Sequence, residues 1–516
     1  MKSKIYIIIS LLITIITTKE LGLPSLPKYP SIYQLSTRPY LYDLSKKYGK
    51  TIRALRDIPE SEFQDYKSKK FDFVWFMGVW QVGPYGVQHD RTKPSLVENF
   101  RRLLPDYTSE DAIGSPYSIT DYVCNKELCP NGDSDLLWLK KKLNSLGIRL
   151  MLDFIPNHFA LDSPLVKEDI NYFIRAPKGS HPPYDANRYF SNGVAYGNMQ
   201  YSSPWTDVGQ LNYFNPKTRN LMKQRIRSAA RFADGLRCDM AYIMLNDYFY
   251  GTWNKELNSW GWSKPSEEFW KSAIREAKNA YPNLVFLAEV YGDQFKTLLN
   301  LGFDYTYDKE LLDRYRNGHL DNIRGWIQYT NQYSKHLCRF IENHDDNRAV
   351  SMFGGNIKRT DITALATYTL PGMKFYFQDQ WYGYRNKLDV HLRRSKAESK
   401  SIEAMGFYKI MFNFINDNIF RNGDFTYLNA SGDTAWRLIA YRWRDNMSNN
   451  KMLVVINYSD QTGSGRVKIS DISGSGTIKL KEILSGVTYE RNRDELRNNG
   501  LFVIINDFSA QIFKYD

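Results

Sequence analysis

The sequence predicts an α/β chain built on a (β/α)8 barrel and followed by a C-terminal antiparallel β-sandwich. Three observations carry that expectation. From Phe71 to about residue 380, short β-branched and aromatic runs alternate with segments of helical period, the pattern of parallel strands joined by crossover helices. Acidic residues recur at the C-terminal end of those runs, where a barrel gathers its functional groups. The last fifth of the chain changes to short alternating runs broken by Gly/Ser-rich turns, "QTGSGRV" and "ISGSGT", the habit of an antiparallel sandwich. At 516 residues the chain is long enough for more than one domain.

The elements follow in order. "FDFVWFMGVW" (71–80) reads as the first clear strand. Helix-like "DLLWLKKKLNSLGI" leads into the strand "RLMLDFIPNH", and "TRNLMKQRIRSAARF" into "DGLRCDMAY". "SEEFWKSAIREAKNAYP" leads into "LVFLAEVYGD", "NIRGWIQYTNQY" into "HLCRFIENHD", and "TDITALATYTLPG" into "MKFYFQDQ". Repeated units at this length favour a closed barrel over an open doubly wound sheet. No G-x-G-x-x-G or Walker loop argues for a nucleotide fold.

Asp153, Asp239, Glu289 and Asp345 each fall at the end of a different strand-like run. In isolation each is readable as a strand-end or helix N-cap, and the cluster "ENHDD" (342–346) as a solvated loop. Their shared position in four successive units instead places them around one pocket.

Composition narrows the partners. The net charge of +13 is spread along the chain, with only short runs such as "KSKK" and "LKKKL", which read as solvated faces. No zinc-finger, basic-zipper or ribonucleoprotein motif is present, so no nucleic-acid partner is expected. The seven histidines are scattered, without the H-E-x-x-H spacing of a metal-dependent hydrolase. "MKSKIYIIISLLITIITTKE" has the basic, apolar and small-residue order of a secretory signal over residues 1–18, and its apolar run is shorter than the ~20 residues of a membrane span. A retained anchor is the alternative to cleavage. The expected mature protein is a secreted or lumenal monomer without a membrane segment. Cys124 and Cys129 are spaced to bridge in an oxidising compartment, whereas Cys238 and Cys338 lie in apolar runs as buried thiols. Asn429, Asn446 and Asn457 begin N-x-[ST] sequons.

"DFIPNH", "GLRCD", "FLAEV" and "ENHD" resemble the four signature regions of the α-amylase family, glycoside hydrolase family 13, in their order and spacing. "GSPYSITDY" is similar to the segment that carries the family's subsite tyrosine, and "PWTDVGQLNYFNP" to the end of its inserted domain. "LPGMKFYFQDQWYG" is similar to its last barrel strand, and the tail from "LVVINYSD" to "SAQIFKYD" to its C-terminal sandwich. The resemblance implies a barrel over 19–422, with a small domain inserted after strand 3 at 159–210, and a sandwich over 423–516.

It also implies chemistry. By the resemblance Asp239 is the nucleophile, Glu289 the general acid/base, and Asp345 the third acid, which binds sugar hydroxyls. His158 and His344 match histidines that hydrogen-bond the reacting sugar, and Tyr117 the ring on which it stacks. Arg237, two residues before Asp239 in an extended strand, is expected to hold the nucleophile ionised. Glu289, flanked by Phe286, Leu287, Ala288 and Val290, is expected in apolar surroundings that keep it protonated. The implied substrate is a starch-like α-glucan or malto-oligosaccharide, cleaved with retention. Transglycosylation uses the same acids, and so does α-glucosidase action on small oligosaccharides. A non-catalytic binding relative would have lost acids that this chain keeps.

Two departures qualify the resemblance. Tyr242 and Ile243 stand where many members carry a Lys-His pair that contacts sugar on the leaving-group side. Many members also hold a structural calcium through the Asn matched by Asn157 and an acidic residue where this chain has Gln210. Fewer carboxylates weaken a calcium site, so any calcium is expected to be weakly held, unless Asp207 takes over, and no metal is expected in the chemistry.

Overall fold

The computed structural model describes residues 22–197 and 204–516. The signal segment read at 1–18 lies outside them, as does 198–203 of the inserted segment.

Eight parallel strands close into a barrel: β1 Ser31–Ser36, β2 Phe73–Met77, β3 Arg149–Phe154, β4 Gly235–Cys238, β5 Val285–Ala288, β6 Tyr305–Tyr307, β7 Leu337–Arg339 and β8 Met373–Phe377. Each pairs with its sequence neighbour, and β1 pairs with β8 to close the ring. Every strand except β6 is buried along its whole length, because the helices cover the outside while side chains fill the inside. Two strands escaped the sequence pattern. β1 "SIYQLS" precedes the run read as first, and β6 is three residues long.

Local chemistry sets the crossovers. The helix Pro216–Phe232 opens with Asn215, whose side chain accepts the Lys217 N–H at 2.9 Å, and with proline in its first turn, which supplies a cap and a preset φ. It delivers the chain to β4, two residues beyond its C-cap.

Two excursions rise from the C-terminal rim of the barrel. After β2, an antiparallel hairpin of Trp80–Val82 with Ile119–Cys124 brackets two short helices and carries Tyr117 in its approach. The bridge Cys124–Cys129 closes the turn beyond it, and Cys238 and Cys338 are buried free thiols. After β3, His158–Ala160, Trp205–Gln210 and Tyr196–Gly197 form a small antiparallel sheet with Trp205–Gln210 in the middle. Its register pairs His158 with Gln210.

From Asp424 onward the chain forms antiparallel sheets of six and three strands. Leu438, Leu453, Val455, Val467, Leu480 and Val503 pack in a core between them. The tail is not wholly β: Arg493–Asn498 is a short helix, capped by Asn492, whose side chain accepts two backbone N–H groups. Polar contacts tie the tail to the barrel. Trp443 Nε1 donates to Thr369 O at 2.8 Å, and Tyr458 Oη donates to Tyr315 O at 3.0 Å.

Candidate active site

The strand ends bring the sequence-distant acids to one rim. A pocket of about 580 Å³ opens there, lined among others by Tyr117, His158, Asp239, Glu289 and Asp345. Its size falls within the range of small-molecule sites. Arg237 and His344 are not on its wall. They lie one layer behind, fully buried, and hold the groups that are.

Arg237 is the hub. Its Nη1 donates to Asp239 Oδ1 at 2.7 Å, and its Nη2 lies 2.8 Å from Glu289 Oε2. Nε donates to Tyr307 Oη at 3.3 Å, and the guanidinium sits 5.2 Å from the Trp75 ring centroid. Alternation along β4 puts residues 237 and 239 on one face, and the guanidinium fork spans two carboxylates. This corrects the expectation for Glu289, whose carboxylate is not in an apolar niche. Its Oε2 accepts the Met240 N–H at 2.7 Å and its Oε1 the Tyr291 hydroxyl at 2.9 Å. Its immediate neighbours Ala288 and Val290 point to the opposite face by alternation. Met240 reaches Glu289 because its backbone is left-handed, φ 43°, a conformation that costs a non-glycine residue about 1–2 kcal/mol.

Asp239 also departs from expectation. Burial pushes its carboxyl well above the usual range; Arg237 opposes the shift, while Glu289 and Asp345 reinforce it. One guanidinium serves several carboxylates there, and their mutual repulsion favours the neutral form of Asp239. Asp345 behaves oppositely. Burial would raise it, but His344, Arg237 and Lys387 hold it below the ordinary carboxylate range. Its side chain is 47% exposed, toward the pocket.

The cluster 342–346 divides its acids among three tasks. Glu342 is buried against Arg348 at 2.9 Å and accepts the Ala349 N–H. Asn343 Oδ1 accepts the N–H groups of Asp345 and Asp346, turning the loop so that Asp345 faces the pocket. Asp346 lies 3.6 Å from Lys309. His344 accepts the Gln34 amide N–H on Nδ1 at 2.7 Å, which places its own hydrogen on Nε2. That nitrogen meets Tyr117 Oη at 2.7 Å and Asp345 Oδ2 at 3.1 Å. Burial lowers His158 to about 4, so it is neutral at ordinary pH; its Nε2 lies 3.2 Å from Tyr117 O and its ring packs edge-on to Trp205. Asp153 stays behind the pocket, accepting Trp75 Nε1 and Gly78 N at 3.1 and 3.2 Å.

The calcium site implied by the resemblance does not fit these residues. Gln210 Nε2 donates to Asn157 Oδ1 at 2.8 Å, to Asn157 O at 3.1 Å and to Leu211 O at 3.2 Å. Three acceptors around one nitrogen settle which end of the amide faces them. A cation there would meet N–H donors instead of oxygens. Asp207, the other acid of that strand, lines the pocket.

Sequence reasoning missed Gln34, Tyr291, Tyr307 and His391, and read Asp207 only as a substitute calcium ligand. Tyr291 follows Glu289 by two residues, so strand alternation alone could have placed it beside the acid. Tyr242 packs edge-on to Tyr291 at 6.0 Å.

Residues 103–423 match the family model described as alpha amylase, catalytic domain. An alpha-amylase of Dictyoglomus thermophilum is 22% identical over 323 residues, 56% of this chain and 58% of that protein. A cyclomaltodextrinase of a Bacillus species is 24% identical over 235 residues, 41% of this chain and 40% of that protein. The chain thus spans about half the length of the curated relatives it matches. Among solved structures, a maltogenic alpha-amylase of Thermotoga neapolitana superposes with a TM-score of 0.67 at 19% identity, covering 95% of this chain and 99% of that one. An alpha-amylase of Lactobacillus plantarum gives 0.67 at 18% identity, with coverage of 95% and 99%.

Proposed function

Because the chain belongs to the α-amylase family, we propose that it is a retaining glycoside hydrolase acting on α-glucans or malto-oligosaccharides. The observation that carries this reading is the single guanidinium of Arg237 holding Asp239 and Glu289 on its two arms at the edge of one pocket. A retaining enzyme needs its nucleophile and its acid/base about 5–5.5 Å apart, closer than the pair of an inverting enzyme. A shared fork favours the shorter separation.

Asp239 attacks the anomeric carbon as the glycosidic bond breaks, while Glu289 gives its proton to the departing oxygen. Arg237 keeps Asp239 anionic, and the Met240 N–H and Tyr291 hydroxyl orient Glu289. Water, activated by Glu289 acting as base, releases the sugar from Asp239 in the second step. Asp345, held ionised by His344, accepts hydrogen bonds from sugar hydroxyls and stabilises the cationic transition state. Tyr117, fixed through its hydroxyl to His344, offers a ring face to the reacting sugar.

Two inversions give net retention, so an α-glucoside should first release the α-anomer. Proton NMR in the first minutes of malto-oligosaccharide hydrolysis tests this. Initial β-anomer would overturn the two-step reading.

A further inference from the structure

Folding gathers positive charge that the sequence scatters. A second cavity, of about 1120 Å³, shares no lining residue with the catalytic pocket, and seven cationic side chains line it against two acidic ones, Glu110 and Glu127. The cations come from four separated parts of the chain: the helix Thr37–Tyr48 with the turn after it, the helix Pro84–Thr92, the turn closed by Cys124–Cys129, and the loop after β8.

Three guanidinium groups converge on one backbone segment. Arg38 Nη1 and Nη2 donate to Ile113 O and Gly114 O at 2.6 and 3.0 Å, Arg91 Nε to Ala112 O at 3.2 Å, and Arg393 Nη2 to Glu110 O at 2.8 Å. Carbonyl dipoles fix each group in place without cancelling its charge, and each guanidinium keeps further N–H donors. Arg393 Nε is buried and has no acceptor among the described residues. Burial lowers Arg38 to about 10, while Glu127 and Asp90 oppose the shift. Arg394, next in the chain to Arg393 and outside the groove, is by contrast paired with Asp111 and Asp106 at 2.7 and 2.9 Å.

Four more cations complete the wall. Lys46 lies 5.4 Å from the Tyr42 ring centroid. Lys50 and Arg53 stand on the turn after the left-handed cap Gly49, and Ser45 Oγ accepts the Ile52 N–H at 2.9 Å, which ties that turn back onto its helix. Lys126 is the fourth. None of the seven forms an ion pair among the described residues, and the side chains of Lys50, Arg53 and Lys126 make no hydrogen bond there.

Like charges held on a concave wall repel one another and focus a positive field, which a multiply charged anion relieves. Arginine forks match phosphate oxygens in geometry, and lysines serve them as point charges. Tyr42, the aromatic ring among the lining residues, already carries Lys46, so the wall lacks the free rings on which nucleobases stack. Its apolar members Leu41, Ile52 and Leu128 are buried, so it offers nothing to insert into a bilayer. We propose that this groove is a second binding site, for a small anion with several phosphate groups, whose charges the arginines along 110–114 and the cations of the turn share.

The test titrates sodium tripolyphosphate into the full-length protein by calorimetry at constant ionic strength, with inorganic phosphate as the single-phosphate comparison. Loss of one charge-assisted contact is worth roughly tenfold or more in affinity. Tripolyphosphate should bind saturably at one site and more tightly than phosphate by at least about that factor. Lys50→Gln combined with Arg53→Gln, and separately Arg393→Gln, should each weaken it by roughly tenfold or more. Lys255→Gln combined with Lys271→Gln removes the same charge from exposed positions outside the groove and should leave the affinity within about twofold, because salt screens distant charges. Equal losses in the two double variants would overturn the site in favour of diffuse attraction to net charge. Wild-type affinity in either groove variant, or no saturable binding, would also overturn it. Sedimentation with phosphatidylglycerol vesicles in place of tripolyphosphate binding would overturn the small-anion reading in favour of a membrane surface. The Lys50 and Arg53 side chains hold no native contact, so their double variant should melt with the wild type and decides the matter even if Arg393→Gln misfolds. Tripolyphosphate should raise the melting temperature of the wild type more than that of the groove variants.

Discussion

Gln210→Glu isolates what the Gln210 amide does at the junction of barrel and inserted sheet. The substitution keeps the shape and replaces one N–H₂ group by a carboxylate oxygen. Gln210 Nε2, with two hydrogens to give, lies within hydrogen-bond distance of three acceptors, and Asn157 Oδ1 has no other donor among the described residues, while Asn157 O also accepts the Leu211 N–H at 3.0 Å. Each lost bond costs about 0.5–1.5 kcal/mol net, and a buried acceptor left without a donor costs about 1–3 kcal/mol. The new charge, set among three oxygens, adds repulsion. Allowing for non-additivity within one cluster, the loss should be about 3–5 kcal/mol. At roughly 2–4 °C per kcal/mol for domains of 150–250 residues, and less for a larger barrel, melting should fall by at least several degrees. The same variant has the oxygen set that a calcium ion wants, so calcium at about 100 times its dissociation constant should restore about 2.7 kcal/mol. Wild-type melting should be indifferent to EDTA. A large EDTA-induced fall in the wild type, reversed by calcium, would refute the argument that the amide stands in the cation's place.

Glu289→Gln keeps an acceptor for the Met240 N–H but cannot shuttle a proton, so kcat should fall roughly 10²–10⁴-fold with melting preserved; near-native turnover on natural substrates would remove Glu289 from its role. His158 titrates near 6.5 when unfolded and about 4 when folded, so as pH falls from 6.5 toward 4 the unfolded state takes up the proton first. Stability should drop by up to roughly 3 kcal/mol over that window, and His158→Gln should flatten the slope in urea melts; an unchanged slope would assign the loss to other groups. Asn457 is fully buried, and its amide donates to Gln461 O, Ile505 O and Asn506 O at 2.7, 3.0 and 2.9 Å. In a glycosylating host, peptide mass mapping should therefore find sugar at Asn429 or Asn446 and none at Asn457.

The barrel was legible because most of its strands are short, buried runs rich in aliphatic and aromatic residues, and because helices separate them. β1 and β6 were not. "SIYQLS" mixes polar and apolar residues, since Gln34 must reach His344 from inside the barrel, and three residues at Tyr305–Tyr307 are too few to show a period. Within the four motifs, the identities of Asp239, Glu289 and Asp345 were written in local sequence, and the structure places all three on one pocket. Their electrostatics were not, because burial and partners depend on which groups meet across the barrel. Arg237 was expected to serve one acid and instead holds two. Glu289 was expected among apolar neighbours and instead faces donors, because alternate residues on a strand point to opposite sides.

What the sequence alone determined was the order of strands and helices and the residue types at the strand ends, which follow from side-chain periodicity and local backbone preference. What only the tertiary structure decided was every relation between residues far apart in the chain. Gln210 faces Asn157 because the inserted strands pair in one register, and Asp207 and His391 line one pocket because the inserted strand and the loop after β8 reach the same rim. Such relations are fixed by strand register and barrel closure, which no local pattern encodes.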